Sequence, residues 1–439
     1  MKWLLKIVGL ILFLTSPAFA QNGIGQSYNA LDTFWVLIAA FLVFFMQAGF
    51  GMVEAGLLRA KNAGNLCMKN TLDFCIASIG FFIFGYAIMF GGAGLLFGTK
   101  GWFLVGASSA KKEIPLYAFW MFQTAFCGTA ATIVAGGMAE RMKFTAYLVY
   151  SFIISAFVYP IIGHWIWGGG WLARLNFHDF AGSTVVHATG GFAALIGTIL
   201  LKPRIGKFNS DGSPNLMAGH NMPLVSLGVF ILWLGWFGFN SGSSLGFGDP
   251  ELVARIATNT NIAAAGGAVA AMIVAWAKFG KPDLALTLNG VLAGLVAITA
   301  PCAIVTPFNA MVIGIISGIL CIYGVRWLDL LRIDDPVGAI AVHGLNGIWG
   351  TLAVGIFGQG LLGAPHDGLL YGGGFMQLGV QLLGVFSVII FVCATMWLVF
   401  KAIDATIGLR VSEKEELQGL DLGEHGMESY SGFQIFLTE

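Results

Sequence analysis

Charged residues are scarce in this sequence. Only 10% of its 439 residues are charged, whereas soluble proteins average about 25%, and the 22 basic and 22 acidic side chains cancel. This excludes an ordinary soluble domain and offers no basic surface for a nucleic-acid partner. Hydrophobic residues make up 57% of the chain, in recurring runs long enough to cross a hydrocarbon core of about 30 Å. The composition therefore predicts an all-α polytopic membrane protein embedded in a lipid bilayer.

Motifs for catalysis and metal binding are also missing. The sequence contains no HExxH or CxxC motif, no nucleophile–base motif and no cofactor fingerprint. We therefore predict that the protein is not an enzyme and binds no metal or cofactor. The few cysteines lie mostly within apolar segments, which predicts packing residues rather than disulfides or ligands: Cys67, Cys75, Cys127, Cys302, Cys321 and Cys393.

The chain divides into three segments. Residues 1–20, MKWLLKIVGLILFLTSPAFA, have two lysines, a short apolar core and an Ala-Phe-Ala end, which is the form of a cleavable secretory signal. An uncleaved first span is the alternative. Residues 21–403 form the predicted membrane domain, and residues 404–439 are a polar, acidic tail.

Hydropathy predicts eleven membrane spans. The apolar stretch 284–327 is too long for one crossing, and Pro301 and Pro307 mark the break within it. Cleavage of the signal leaves the N-terminus outside, so eleven spans place the tail in the cytoplasm, and the excess of lysine and arginine in the loops on that side agrees. The spans lie near 32–57, 68–95, 116–139, 144–167, 182–201, 223–243, 252–277, 284–300, 308–327, 336–358 and 376–403.

A short internal repeat lies in the fifth and tenth spans. DFAGSTVVHATGG (179–191) and DPVGAIAVHGLNG (335–347) each begin with aspartate and reach a histidine, His187 or His343, eight residues later. The two spans cross the membrane in opposite directions, which predicts an inverted repeat of spans 1–5 and 6–10 followed by an eleventh helix.

The repeat places two ionisable side chains inside the membrane. Asp179 and Asp335 are predicted to cap the N-termini of their helices. Eight residues at 1.5 Å each place His187 and His343 about 12 Å from opposite faces, so both fall near the midplane of a core about 30 Å thick. Intramembrane ionisable residues usually mark function, although a purely structural histidine pair is the alternative. Two histidines alone are too few for a zinc site.

At these residues the sequence resembles the ammonium transporter (Amt/Mep/Rh) family, and more closely its bacterial Amt branch. The likeness covers essentially the whole mature chain, in six stretches that occur in the family's order. They are MQAGFGMVEAGLLRAKNAGN (46–65), FQTAFCGTAATIVAGGMAERMKF (122–144), DFAGSTVVHATGGFAALIGTILLKPR (179–204), GWFGFNSGSS (235–244), DDPVGAIAVHG (334–344) and EELQGLDLGEHG (415–426).

The resemblance assigns roles to particular residues. It implies an outer site that recruits ammonium at Trp167, Ser243 and Phe126, a gate formed by Phe126 and Phe239, and then the histidine pair as pore and proton relay. An interfacial tryptophan is the alternative for Trp167, and ordinary core packing is the alternative for the phenylalanines. Gln123, one helical turn before Phe126, is expected to help line the vestibule, where Asp179 and Asp335 have structural roles.

The resemblance also implies an assembly and a location. Family members form homotrimers with one pore in each subunit, and PII-type nitrogen-signal proteins dock on the cytoplasmic face of many relatives. The signal sequence and the bacterial-type motifs predict a bacterial inner membrane. The expected substrate is ammonium or ammonia, with methylammonium as an analogue. An ammonium sensor that signals through its tail and a passive channel for a neutral gas are the alternative functions.

The remaining polar residues are expected to have structural roles or to contact solvent. Glu54 and Asp73 lie near the cytoplasmic ends of the first two spans and are expected to hydrogen-bond loop backbone. The other five histidines fall at span ends or in loops and are expected to be solvated: His164, His178, His220, His366 and His425.

Overall fold

The computed structural model describes residues 27–430, so the predicted signal peptide and residues 431–439 lie outside the described residues. Within the described part the regular elements are all helices. The predicted all-α membrane architecture is confirmed, with one helix for each of the eleven predicted spans.

The spanning helices are numbered α1 to α11 in chain order. Ten are long and apolar enough to cross a membrane by themselves. The eighth has only 15 residues, which is about 22 Å of helix. Their bounds are α1 Ala30–Leu57, α2 Ala60–Phe90, α3 Leu116–Met138, α4 Phe144–Arg174, α5 Ser183–Leu201, α6 Met222–Gly242, α7 Pro250–Phe279, α8 Leu284–Ile298, α9 Pro307–Leu330, α10 Ile340–Phe357 and α11 Met376–Thr406.

Local sequence signals set several of these boundaries. The expected break between α8 and α9 is confirmed, because α8 ends at Ile298 and α9 begins with proline at its first position. Helix α4 is interrupted at residues 167–170, after which one further turn follows. Five spanning helices begin with a side chain that accepts a hydrogen bond from the backbone N–H three residues later, namely Asn29, Asn221, Asp249, Asp283 and Thr306.

The predicted bounds of the second span, 68–95, were wrong at both ends. Helix α2 ends at Phe90, where the glycine-rich segment 91–98 turns the chain. It begins at Ala60, earlier than hydropathy suggests, because the carboxylate of Asp421 in the tail accepts hydrogen bonds from the N–H groups of Gly64 and Asn65. A tertiary contact therefore stabilises polar first turns that a hydropathy window scores as loop.

The helices differ in the fraction of their residues that is buried inside the bundle. Helix α3 is almost entirely buried and α5 is mostly buried, whereas only about a third of α7 and of α11 is buried. Exposed leucines, phenylalanines and tryptophans on such helices fit contact with lipid. The candidate pore residues therefore belong to the inner helices.

The repeat segments of α5 and α10 cross closely at the centre. A side chain at Gly191 would collide with backbone at Gly344, and one at Gly347 would collide with backbone at Ser183 and Ala188. Gly191 and Gly347 are equivalent positions of the repeat. Small residues at matched positions thus let the two backbones approach and bring the repeat histidines together.

The tail packs against one end of the bundle. Two short helices follow α11, Glu413–Gln418 and Leu420–His425, and Ser412 begins the first with a capping box that includes Glu415. The side on which this tail lies is called the tail side below, and the side on which α1 begins is called the opposite side.

Candidate functional site

The two repeat histidines are in direct contact at the centre of the bundle. Nδ1 of His187 lies 3.1 Å from Nδ1 of His343, and the ring planes are 20° apart. His187 is completely buried and His343 is 4% exposed. Nε2 of His187 has no hydrogen-bond partner among the described residues, so this nitrogen faces the site with an unused donor or acceptor.

Both histidines lie in short π-helical segments. His187 belongs to Ser183–Ala188 and His343 to Ile340–Leu345. A π-helical turn widens the helix and frees backbone groups from the regular hydrogen-bond ladder, and such turns often occur at functional sites. The sequence repeat predicted the residues, but not this backbone irregularity.

Stacked aromatic rings lie against one face of the histidine pair. Phe126 from α3 and Phe239 from α6 have ring centroids 4.0 Å apart with planes 25° apart. Phe239 in turn lies 5.5 Å from the ring of His187. The two predicted gate residues are therefore brought together next to the histidines, and no side chain fits between the two rings.

Trp236 is a site residue that sequence reasoning missed. Its ring stacks on His187 at 5.1 Å with planes 17° apart, and its Nε1 donates a hydrogen bond of 2.9 Å to the hydroxyl of Thr299. The sequence spacing could have identified it, because Trp236 precedes Phe239 by three residues and therefore shares its helical face. Together these contacts fix the ring plane of His187.

The predicted outer residues Trp167 and Ser243 lie next to the phenylalanine pair. The ring of Trp167 lies 6.2 Å from that of Phe126, at the break in α4. Its Nε1 donates a hydrogen bond of 2.7 Å to the carbonyl of Asp179. The hydroxyl of Ser243 donates to the carbonyl of Phe239 at 2.8 Å, so the oxygen of Ser243 keeps lone pairs that can accept an N–H.

The two repeat aspartates cap their helices, although to different extents. The carboxylate of Asp179 accepts four backbone N–H groups, from residues 182–185. That of Asp335 accepts two, from Ala339 and Ile340. Both predicted N-terminal caps are therefore present. Gln123 is buried and its Oε1 has no partner among the described residues, and its place in the vestibule stays a prediction.

The structure corrects three expectations about other polar residues. The carboxylate of Glu54 accepts a hydrogen bond from the side chain of Asn70, not from loop backbone. Asp73 accepts hydrogen bonds from the hydroxyls of Thr132 and Ser151. His164 is fully buried rather than solvated, and its ring nitrogens lie 2.8 Å and 2.7 Å from the carbonyls of Met89 and Gly94. All three residues are integrated into the helix bundle, where short polar contacts replace water.

A buried ionic network joins both halves of the repeat on the tail side. Arg204, just after α5, contacts Glu140 at 3.1 Å and Asp334 at 2.8 Å, and Arg59 contacts the same oxygen of Glu140 at 2.6 Å. Burial alone would raise the pKa of both carboxyls, but the guanidinium groups outweigh it and hold each pKa below its usual value. The network therefore carries paired charge at neutral pH.

The tail is held by several contacts with the helix ends. Arg410 donates to the carbonyls of Leu201 and Pro203 and pairs with Glu416 at 2.8 Å. His220, before α6, lies 2.6 Å from the hydroxyl of Tyr430. The tail thus contacts both ends of the segment that joins α5 to α6.

Sequence comparison assigns the chain to a family. A sequence model of the Ammonium Transporter Family matches residues 34–430. The chain belongs to the ammonium transporter family. It is therefore a multi-pass membrane protein of a family of transporters rather than enzymes, as the sequence predicted.

Individual relatives agree over nearly the full length. The chain is 49% identical to the ammonium transporter Amt2 of Archaeoglobus fulgidus, over 98% of this chain and 96% of the relative. It is 45% identical to a putative ammonium transporter of Synechocystis, over 96% of this chain and 95% of the relative.

Solved structures of the family share the fold. A structure titled Sensor Amt Protein superposes with a TM-score of 0.85 at 41% identity, covering 90% of this chain and 98% of that one. The crystal structure of Candida albicans Mep2 superposes with a TM-score of 0.82 at 30% identity, covering 90% and 89%. Membership of the family and this fold support ammonium transport.

Proposed function

We propose that this protein takes up ammonium by binding it at an outer site, removing a proton and conducting ammonia past a phenylalanine gate and a histidine pair. The observation that carries the proposal is the contact between two buried imidazoles directly behind a stacked phenylalanine pair. Ammonium and potassium have similar sizes, so a transporter must use what differs between them. Ammonium donates directional hydrogen bonds and can lose a proton.

The outer site distinguishes ammonium from potassium because only ammonium donates hydrogen bonds. The face of Trp167 attracts a cation with roughly 0.5–2 kcal/mol, and the free lone pairs of Ser243 accept an N–H. The ring of Phe126 adds a second aromatic surface. Because the indole N–H of Trp167 is already bonded to the carbonyl of Asp179, the ring is held in place. The carboxylate of Asp179 is occupied by backbone N–H groups, so its role is structural.

The gate and the histidines depend on the ability of ammonium to lose a proton, which potassium lacks. An intact cation in a dry apolar passage costs many kcal/mol, and loss of the proton removes that cost. Neutral ammonia can then pass Phe126 and Phe239 when the rings move apart. His187 and His343 offer polar nitrogens on the far side, and imidazole is suited to proton relay near neutral pH.

The assembly and location follow the family pattern in this proposal. The protein is a homotrimer with one pore per subunit in a bacterial inner membrane, with a cleaved signal peptide over residues 1–20. Its N-terminus is outside, and the tail side faces the cytoplasm, where a PII-type protein is the proposed regulatory partner. Residues 21–403 are the transport domain and residues 404–439 the cytoplasmic tail.

The deciding experiment is a current measurement on purified protein in liposomes adsorbed to a solid-supported membrane. An ammonium concentration jump should give a saturable inward positive current, and a potassium jump should give none above protein-free liposomes. An equal potassium response would contradict selective ammonium recruitment. No response to either ion would contradict charge-carrying transport and would favour neutral ammonia conduction or sensing.

A further inference from the structure

Glu54 is a buried carboxylate that the transport proposal leaves without a role. It lies on α1, is only 3% exposed, and sits inside the membrane-spanning region, where a charge is costly. One oxygen of its carboxylate accepts a hydrogen bond of 3.0 Å from Asn70. No lysine or arginine between residues 27 and 430 forms a salt bridge with it, and Lys69, on the adjacent helix α2, instead donates to the carbonyl of Met142. Glu54 is therefore not simply half of a salt bridge.

Glu54 shares a cavity with His343. The narrow cavity directly next to His343 is lined by Phe50, Val337 and Asn289 among other residues, and by Glu54. Phe50, one turn before Glu54, has its ring 6.1 Å from that of His343. Apart from His343, Glu54 is the one ionisable side chain among the residues that line this cavity in the described part of the chain.

The cavity continues toward the tail side. Asn289 and Val337 also line a second, wider cavity, whose wall carries charges of both signs. The charged residues in that wall are Asp283, Asp329, Asp335, Arg204 and Lys207, and Lys207 pairs with Asp329 at 3.1 Å. The side-chain amide of Asn289 donates to the carbonyl of Val337 at 3.2 Å, so the two shared residues form the partition between the cavities. A solute leaving His343 by this route passes Glu54 before it reaches the wider cavity.

We propose that Glu54 is the proton acceptor on the tail side of the histidine pair and the site where ammonium is formed again. The inference rests on the proposed function, because it assumes that a proton and ammonia both reach His343. It adds a residue that couples the two at the exit and thereby makes transport carry charge.

The proton balance is simple. The Glu54 carboxylate takes a proton from the imidazolium of His343, which leaves a neutral imidazole and a carboxylic acid. Ammonia entering the cavity then takes that proton, because ammonia is a stronger base than a carboxylate, and leaves as ammonium. The carboxylate is restored, and the ammonium ion leaves through the wider cavity toward the tail side.

Asp73 provides a matched control. It is also a fully buried carboxylate, on the adjacent helix α2. Asp73 does not line the cavity beside His343, and the hydroxyls of Thr132 and Ser151 satisfy it. Removing its charge therefore tests burial of a carboxylate without testing access to the pore.

The test compares Glu54→Gln, Glu54→Asp and Asp73→Asn with the wild type in the ammonium-jump current assay, after size-exclusion chromatography of each purified protein. Glu54→Gln should lower the current per transporter by about tenfold or more, the scale of a lost acid–base group. Glu54→Asp, which keeps the carboxylate, should restore most of the current, and Asp73→Asn should match the wild type.

The outcomes separate this inference from the transport proposal. If the wild type carries no current, the charge-carrying proposal fails and the role of Glu54 fails with it. If the wild type carries current and Glu54→Gln carries it equally well, only the role of Glu54 is overturned. A similar loss in all three variants, or loss of the monodisperse peak in both Glu54 variants, would make the residue structural and overturn the inference as well.

Discussion

His187 and His343 face each other through the same ring atom, with Nδ1 of one 3.1 Å from Nδ1 of the other. At this distance one nitrogen must donate a hydrogen and the other must accept it. The pair therefore shares one Nδ1 proton, and two adjacent imidazolium rings in this dry site would repel each other. The pair can therefore hold one added proton at a time, and that proton must leave before the next one enters, which is the behaviour expected of a relay.

Replacing both histidines with leucine should abolish uptake of radiolabelled methylammonium by cells that express the protein. Leucine fills a similar volume but offers no nitrogen to a polar solute, so the passage becomes uniformly apolar. The double variant should elute from size-exclusion chromatography at the same position as the folded wild type. Uptake at the wild-type rate in a folded double variant would remove the histidines from the mechanism.

Changes at the outer site should weaken binding more than turnover. Trp167→Leu removes a cation–π contact of roughly 0.5–2 kcal/mol, which corresponds to an increase of about 2- to 30-fold in KM. Ser243→Ala should raise KM by a similar factor because an acceptor is lost, and Trp167→Phe should be milder. The measurement is the concentration dependence of the ammonium current. A lower maximal current with unchanged KM would place these residues outside the recruitment site.

Asp179→Asn should destabilise the protein more than Asp335→Asn. The carboxylate of Asp179 accepts four backbone N–H groups, and that of Asp335 accepts two. An amide presents only one acceptor oxygen, so more buried donors lose their partner at Asp179, at about 1–3 kcal/mol for each. Thermal unfolding of the two detergent-solubilised variants provides the comparison. Equal melting temperatures would show that the number of capped N–H groups does not set stability here.

The ionic network predicts a loss of stability in acid. Arg204 and its neighbours hold the pKa of Glu140 and Asp334 below the ordinary carboxyl values of about 4. A depressed pKa stabilises the folded state above the ordinary value, and this stabilisation disappears as the pH falls through the folded-state pKa. Glu140→Gln leaves Arg204 and Arg59 without this partner and should cost about 3–5 kcal/mol near pH 7.

Melting temperatures measured between neutral and acidic pH test this prediction. Glu140→Gln should start lower than the wild type at neutral pH and change less on acidification, because it has lost one of the titrating groups. Glu113→Gln, at an exposed loop carboxylate, is the control and should follow the wild-type curve. Parallel curves for wild type and Glu140→Gln would show that the network does not control acid stability.

Local sequence patterns predict much of the fold. The apolar runs determine the helices, because a membrane requires each span to satisfy its own backbone hydrogen bonds, and Pro307 and Asp283 mark where helices begin. The bounds of α2 could not be predicted in the same way. Its first turns are stabilised by Asp421, which is more than 350 residues away in the chain.

The candidate site could likewise be predicted from the sequence only in part. The repeat of aspartate and histidine, and the resemblance of the motifs around it, identified His187, His343, Asp179 and the gate phenylalanines as individual residues. The separation of these residues along the chain did not predict the distances between them in the folded protein. The pairing of the rings depends on the close crossing of α5 and α10, which glycines permit only because the backbones of both helices arrive at the same place.

What the sequence determined by itself was therefore the number and type of elements and the chemistry carried by each. Only the tertiary structure decided that Trp236 stacks on His187 and that Glu54 opens onto the cavity of His343 rather than onto a loop. These contacts arise between helices far apart in the chain, where side-chain packing and the need to pair buried polar groups select one arrangement. Local periodicity carries no information about that choice.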